Sequence, residues 1–142
     1  MMGGVNVSRS FSASPGAIPE LRHVTTAFAR EHCGEDQQLV DDIALAVTEA
    51  GGNVVRHAYD NPPAGRIDLA AWIRGDELIV EVSDSGVGIN AAAASSGLGL
   101  GLPLIRRLAE VTVLENPEGG TCLRMAFPCR ADRAGGVPWN CR

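Results

Sequence analysis

The sequence predicts an α+β fold, in which helices cover one face of a largely antiparallel sheet. Two helical patterns occupy the first part of the chain, and two predicted strand hairpins with a short helix between them follow. Strands that pair through short turns, with helices segregated from them, are typical of a two-layer sandwich. The chain has 142 residues, of which 45% are hydrophobic and 20% charged. These values fit a single globular domain.

The N-terminal elements follow from spacing. Residues 5–13 alternate weakly between apolar and polar, which predicts an edge strand. A helical pattern runs from Ser14-Pro15 to about His32 and is closed by Cys33-Gly34. A second pattern, with apolar residues every three or four positions, predicts a helix over about 36–58.

The C-terminal elements are two hairpins and the helix between them. The strands RIDLAAWI and ELIVEVSD alternate regularly around a turn at Gly75-Asp76. A third helix is predicted over Pro103–Ala109, where proline is acceptable in the first turn. The strands VTVLE and TCLRMAF follow, joined by NPEGG. The predicted domain therefore covers residues 5–128, and residues 129–142 are expected to form a flexible tail.

Charge and composition argue against several classes of protein. The net charge is −5 and basic residues do not cluster, so a nucleic-acid surface is not expected. No apolar stretch is long enough to span a membrane, and the N-terminus lacks the layout of a signal peptide. The expected location is therefore the cytoplasm. All twelve basic residues are arginine, so chemistry that requires a lysine is excluded.

The four cysteines are scattered and show no C-x-x-C spacing. A zinc site would need closer pairs, and a disulfide framework would need a secreted context. Cys33 and Cys122 are therefore interpreted as small apolar residues that pair with nothing.

A carboxylate and an amide lie one turn apart in the second predicted helix. Glu49 and Asn53 share the flank of its apolar stripe, where they can face a cleft. An amide oxygen suits Mg²⁺, and a carboxylate can deprotonate a nucleophile. A surface Glu–Asn pair is the simpler interpretation. Gly51-Gly52 weakens it, because paired glycines are costly inside a helix and indicate a close approach by another group.

Two glycine-rich segments follow. In SDSGVGI, Asp84 ends a strand, and a buried carboxylate there could accept a hydrogen bond from an amine such as that of adenine; a plain strand-ending turn remains the alternative. In SSGLGLGLPLIRRL, glycines alternate before a helix. This segment matches neither the P-loop nor the dinucleotide fingerprint, although its amides could hold an anion.

Taken in order, TEAGGNVVRHAY, SDSGVGI, GLGLGLPLIRRLAE and Gly120-Thr121 resemble the boxes of the GHKL ATPase superfamily. Within it, they look most like the anti-sigma-factor serine kinases. The resemblance covers about residues 10–127 and implies a Bergerat-type ATP-binding sandwich with ATP and Mg²⁺ as cofactors.

The resemblance also implies a role for each matching residue. Glu49 would be the general base, and Asn53 would coordinate Mg²⁺. Asp84 would accept a hydrogen bond from the adenine amine, and Thr121 would support that contact. The glycines would complete the site: Gly86 and Gly88 would shape the adenine pocket, while Gly97, Gly99 and Gly101 would wrap the phosphates.

The implied function is phosphorylation of a STAS-domain anti-sigma-factor antagonist, with binding of a sigma factor and possible dimerisation. Two alternatives remain. A short, alanine-rich segment from Asn90 to Ser96 stands where relatives carry a charged lid, which favours a nucleotide-binding regulator without phosphoryl transfer. The chain could also be the detached catalytic domain of a histidine kinase.

Overall fold

A computed structural model describes residues 6–60, 65–85, 101–115 and 120–129. The elements occur in the predicted order and at close to the predicted bounds. They are β1 (Asn6–Ser12), α1 (Ala17–Cys33), α2 (Gln37–Asp60), β2 (Arg66–Arg74), β3 (Glu77–Ser85), α3 (Gly101–Leu108), β4 (Glu110–Glu115) and β5 (Thr121–Pro128).

The five strands form one sheet in the order β1-β2-β3-β5-β4, and every neighbouring pair is antiparallel. Alternate residues of the strands face the helices, and together with α1, α2 and α3 they build the core. The α+β prediction, with helices on one face of an antiparallel sheet, is confirmed. Among the described residues, no helix is long and apolar enough to cross a membrane.

The two long helices begin and end where local chemistry favours it. The Asp36 side chain accepts a hydrogen bond from the Leu39 amide at 3.2 Å, which satisfies one of the free amides in the first turn of α2. In α1, Glu20 lies in the first turn, and Arg30 and His32 lie in the last. The charges of Glu20 and Arg30 interact favourably with the helix dipole.

Side chains of β2, β3 and β5 cover part of the opposite face of the sheet. Arg124 pairs with Glu81 at 2.7 Å and lies over the Trp72 ring, 5.7 Å from its centroid. Ile79, which lies on this face between β2 and β5, is fully buried. The aliphatic residue is thus shielded on a face where the described residues supply no helix.

A disulfide joins Cys33, the last residue of α1, to Cys129, which directly follows β5. Both residues are buried in the core, and their Cα atoms are 5.1 Å apart. The interpretation of Cys33 as an unpaired apolar residue is therefore wrong, because its partner, 96 positions later in the sequence, returns to the end of α1. Cys122 is buried and free, as predicted.

Candidate functional site

Five polar or charged side chains are buried in the described part of the chain: Thr25, Thr26, Asn53, Asp84 and Thr121. The first two are satisfied by their own helix, since each hydroxyl donates to the carbonyl four residues earlier at 2.8 Å. The other three lie on three different elements. All three are residues that the sequence assigned to a nucleotide site.

Asp84 and Thr121 lie directly opposite each other on β3 and β5. Both are almost fully buried, with 5% and 6% of their surface exposed. Directly opposed residues share one face of a sheet, and here it is the helix-facing one, because Val80 and Val82 on the same face of β3 belong to the core. A carboxylate and a hydroxyl thus sit together at one end of the sheet, beneath the helix layer.

Asn53 lies on α2, within the helix layer that covers the sheet. It is 4% exposed, and α2 contacts both β3 and β5. Its carboxamide oxygen accepts a hydrogen bond from Arg56 Nη2 at 2.6 Å. Glu49, one turn earlier, is only half-buried. The two residues are therefore not a surface pair, because the Asn53 amide is buried and the Glu49 carboxylate is half-buried.

The two glycines between Glu49 and Asn53 have different surroundings. A Cβ on Gly51 would come within 2.7 Å of Leu21 Cδ1, because α1 crosses α2 closely at this point. A Cβ on Gly52 would lie 3.6 Å from Arg56 Nη1. The close approach predicted from the glycine pair is confirmed at Gly51, and its partner is a core leucine of α1.

The glycine segments are described only in part. Gly101 is the first residue of α3, which packs on α2 and buries Ile105 in the core. The first turn of a helix presents free amides and a partial positive charge, which suit a phosphate. Gly120, just before Thr121, has φ of 94°, a conformation that favours glycine. Four other predicted positions lie outside the described residues: Gly86, Gly88, Gly97 and Gly99.

The sequence interpretation gave Arg56 no role in the site. Its guanidinium lies on Asn53 because residues three apart share one side of a helix. The spacing of three residues was visible in the sequence, but spacing alone does not indicate which rotamer a long side chain adopts. Within the described residues of the site, the contact between Arg56 and Asn53 is one that the structure adds to the sequence interpretation.

The donor set fits the groups that a nucleotide site needs. Asn53 offers a hard amide oxygen of the kind that Mg²⁺ prefers, and Glu49 offers a carboxylate nearby. Asp84 offers a buried acceptor for an amine, and the α3 N-terminus offers amides for a phosphate. These groups, on a two-layer α/β sandwich, have the chemistry that an ATP-binding domain requires.

Comparisons with known proteins agree with that class. The sequence profile of the histidine kinase-like ATPase domain family matches residues 11–127. The chain belongs to this family.

Curated relatives include the anti-sigma F factor of Clostridium acetobutylicum, which is 36% identical over 66 residues, or 46% of each chain. The anti-sigma F factor of a Thermoanaerobacter species is 38% identical over 68 residues, covering 48% of this chain and 46% of the relative. The matched region thus spans about half the length of these relatives.

Two solved structures share the fold. One contains the RsbU and RsbW domains of a Mycobacterium tuberculosis protein; it has a TM-score of 0.66, is 23% identical, and the match covers 94% of this chain and 35% of that one. The other is the SiaB-SiaC complex from Pseudomonas aeruginosa, with a TM-score of 0.59 and 16% identity, covering 85% and 88%.

Proposed function

We propose that this chain is an ATP-dependent protein serine/threonine kinase of the anti-sigma-factor type. Its substrate would be a serine or threonine on a STAS-domain anti-sigma-factor antagonist. It would also bind a sigma factor, so that phosphorylation controls transcription by exchange of partners. One observation carries the proposal: Asn53, Asp84 and Thr121 are buried polar residues on three elements of a histidine kinase-like ATPase domain.

Catalysis would depend on Glu49 at the rim of the site. Its carboxylate would accept the proton of the substrate hydroxyl as that oxygen attacks the γ-phosphorus of ATP, and ADP would leave. A half-buried position suits this role, because the base must meet a hydroxyl brought by another protein. Positioned general bases of this kind contribute about 10²- to 10⁴-fold in rate.

Nucleotide binding would divide among the remaining residues. Asp84 would accept a hydrogen bond from the adenine amine, with Thr121 beside it, and Gly86 and Gly88 would shape the pocket. Gly97, Gly99 and Gly101 would donate backbone amides to the phosphates. Asn53 would bind Mg²⁺ through its amide oxygen, and the ion would neutralise charge on the phosphates during transfer.

The names of the relatives support the proposed partners. Those relatives are anti-sigma F factors, and one structural neighbour is a complex of two proteins. A sigma factor and its regulators act where transcription occurs, so the proposal includes a cytoplasmic location. The proposal also includes homodimerisation.

The test uses the full chain, labelled ATP with Mg²⁺, and purified STAS-domain proteins from the same organism. Wild type should place acid-stable phosphate on a serine or threonine of one of them. Glu49→Gln should slow transfer at least about 100-fold while nucleotide affinity changes little. Glu20→Gln is the matched control, because this exposed glutamate in the first turn of α1 loses the same charge away from the site.

Each alternative has its own outcome. Nucleotide binding without transfer to any cognate STAS protein would identify a non-catalytic regulatory module and contradict the kinase proposal. Acid-labile phosphate on a histidine would identify the catalytic domain of a histidine kinase. Failure to bind either ATP or ADP would remove the basis for all three functions.

A further inference from the structure

The hydrogen bond between Arg56 and Asn53 occupies the atom that the proposed function assigns to the metal. Arg56 Nη2 donates to Asn53 Oδ1 at 2.6 Å. The orientation of the carboxamide follows from this contact, because a guanidinium has only donors and the amide nitrogen cannot accept. The Asn53 oxygen, not its nitrogen, therefore faces the Arg56 guanidinium.

A guanidinium and a divalent cation compete for one amide oxygen. The amide oxygen has two lone pairs, so geometry alone would admit both. Their charges repel, however, and burial of the shared oxygen reduces the screening of that repulsion by water. Asn53 is such a group, since only 4% of its surface is exposed.

The Arg56 guanidinium has room beside α2 and is free to move away from Asn53. Arg56 lies across Gly52, where even a Cβ would be 3.6 Å from Nη1. The residue as a whole is exposed, so its side chain can rotate into solvent without disturbing the core. Asn53 by contrast is held in place by its burial.

We propose that Arg56 is a positioning residue that holds Asn53 in the nucleotide-free protein and competes with Mg²⁺ for its amide oxygen. This inference rests on the proposed role of Asn53 as a metal ligand. Arg56 thereby sets the Mg²⁺ concentration at which the site accepts its nucleotide. Displacement of the guanidinium by Mg²⁺ and nucleotide together couples the two binding events.

The test is a binding measurement that does not depend on catalysis. A fluorescent ATP analogue is held at fixed concentration while MgCl₂ is titrated at constant ionic strength. Arg56→Met keeps the length of the side chain but removes charge and donors. It should lower the half-saturating Mg²⁺ concentration about tenfold, the factor that corresponds to losing one charge-assisted competitor of about 1.4 kcal/mol. Arg56→Lys, which keeps the charge, should fall between that variant and wild type.

Arg74→Met is the matched control, because it removes an exposed arginine paired with Glu77 at the far end of β2. Its half-saturating Mg²⁺ concentration should equal that of wild type. An unchanged or higher value in Arg56→Met would overturn the inference while leaving the proposed function intact. If wild type bound no nucleotide at any Mg²⁺ concentration, the proposed function itself would fail, so the two failures are distinguishable.

A second measurement examines the contact itself. In the nucleotide-free protein, the side-chain amide NMR signal of Asn53 is assigned from its loss in Asn53→Ala. That signal should shift in Arg56→Met and stay in place in Arg74→Met. No shift in Arg56→Met would show that the guanidinium does not rest on Asn53 in solution and would also overturn the inference.

Discussion

Breaking the Cys33–Cys129 disulfide should destabilise the domain by several kcal/mol. The bond joins the end of α1 to the end of β5 across 96 residues of sequence, so it encloses most of the fold. In the chain-entropy account, a crosslink of that span restricts the unfolded chain by about 4.7 kcal/mol, the value for a loop of roughly 100 residues. Measured disulfides more often contribute about 2–4 kcal/mol, which we take as the expected range.

The corresponding change in melting temperature is large enough to measure easily. For a domain of this size, each kcal/mol corresponds to about 3–5 °C. Reduction of the wild-type protein should therefore lower Tm by about 10 °C. Thermal unfolding is followed by circular dichroism, with and without a phosphine reductant.

Two variants separate the crosslink from general effects of reductant. Cys33→Ala should melt near the temperature of the reduced wild type and should not respond to reductant. Cys122→Ala removes a buried cysteine outside the bond, so it should keep the full response. Alkylation of the unfolded, unreduced wild type should leave Cys33 and Cys129 unlabelled. Equal Tm with and without reductant, or labelling of all four cysteines, would refute the reasoning.

Three further predictions concern the site and the core. Asp84→Asn should weaken ATP binding about 10- to 100-fold and reduce the preference for ATP over GTP, because a neutral amide is a weaker acceptor for the adenine amine. Nucleotide titration measures both effects, and an unchanged preference would contradict the assignment. Phe127→Ala should lower the free energy of unfolding by about 3–5 kcal/mol, because that ring is buried. Leu45→Ala, at an exposed position, should leave the free energy of unfolding nearly unchanged, and urea denaturation measures both variants. Burial raises the pKa of the Cys122 thiol above its usual range, so the thiol loses its proton at lower pH in the unfolded chain than in the folded one. Stability should therefore fall as pH rises through the usual pKa of a thiol, and Cys122→Ala should lack this part of the decline.

The elements were predictable because local patterns and tertiary packing agree. The hairpin around Gly75-Asp76 alternates clearly, and its strands pair as expected. The third helix begins at Gly101, two residues earlier than predicted, because Pro103 fits within the first turn and did not mark the start. Local spacing thus gave the elements well and their ends less well.

The site was predictable only in part. A resemblance selected Asn53, Asp84 and Thr121, and the structure adds that all three are buried polar residues. Their functional roles stay predictions. The Arg56–Asn53 contact depends on a rotamer, and the Cys33–Cys129 bond depends on how the chain returns after 96 residues. Neither follows from local spacing.

The contact at Gly51 ties the packing of α1 to the part of α2 that carries Glu49 and Asn53. Leu21 fills the space that a side chain at Gly51 would need, and Gly51 lies between those two residues. A substitution at Gly51 would therefore require Leu21 to shift, so the core of the helix layer limits which residues this segment of α2 can accept.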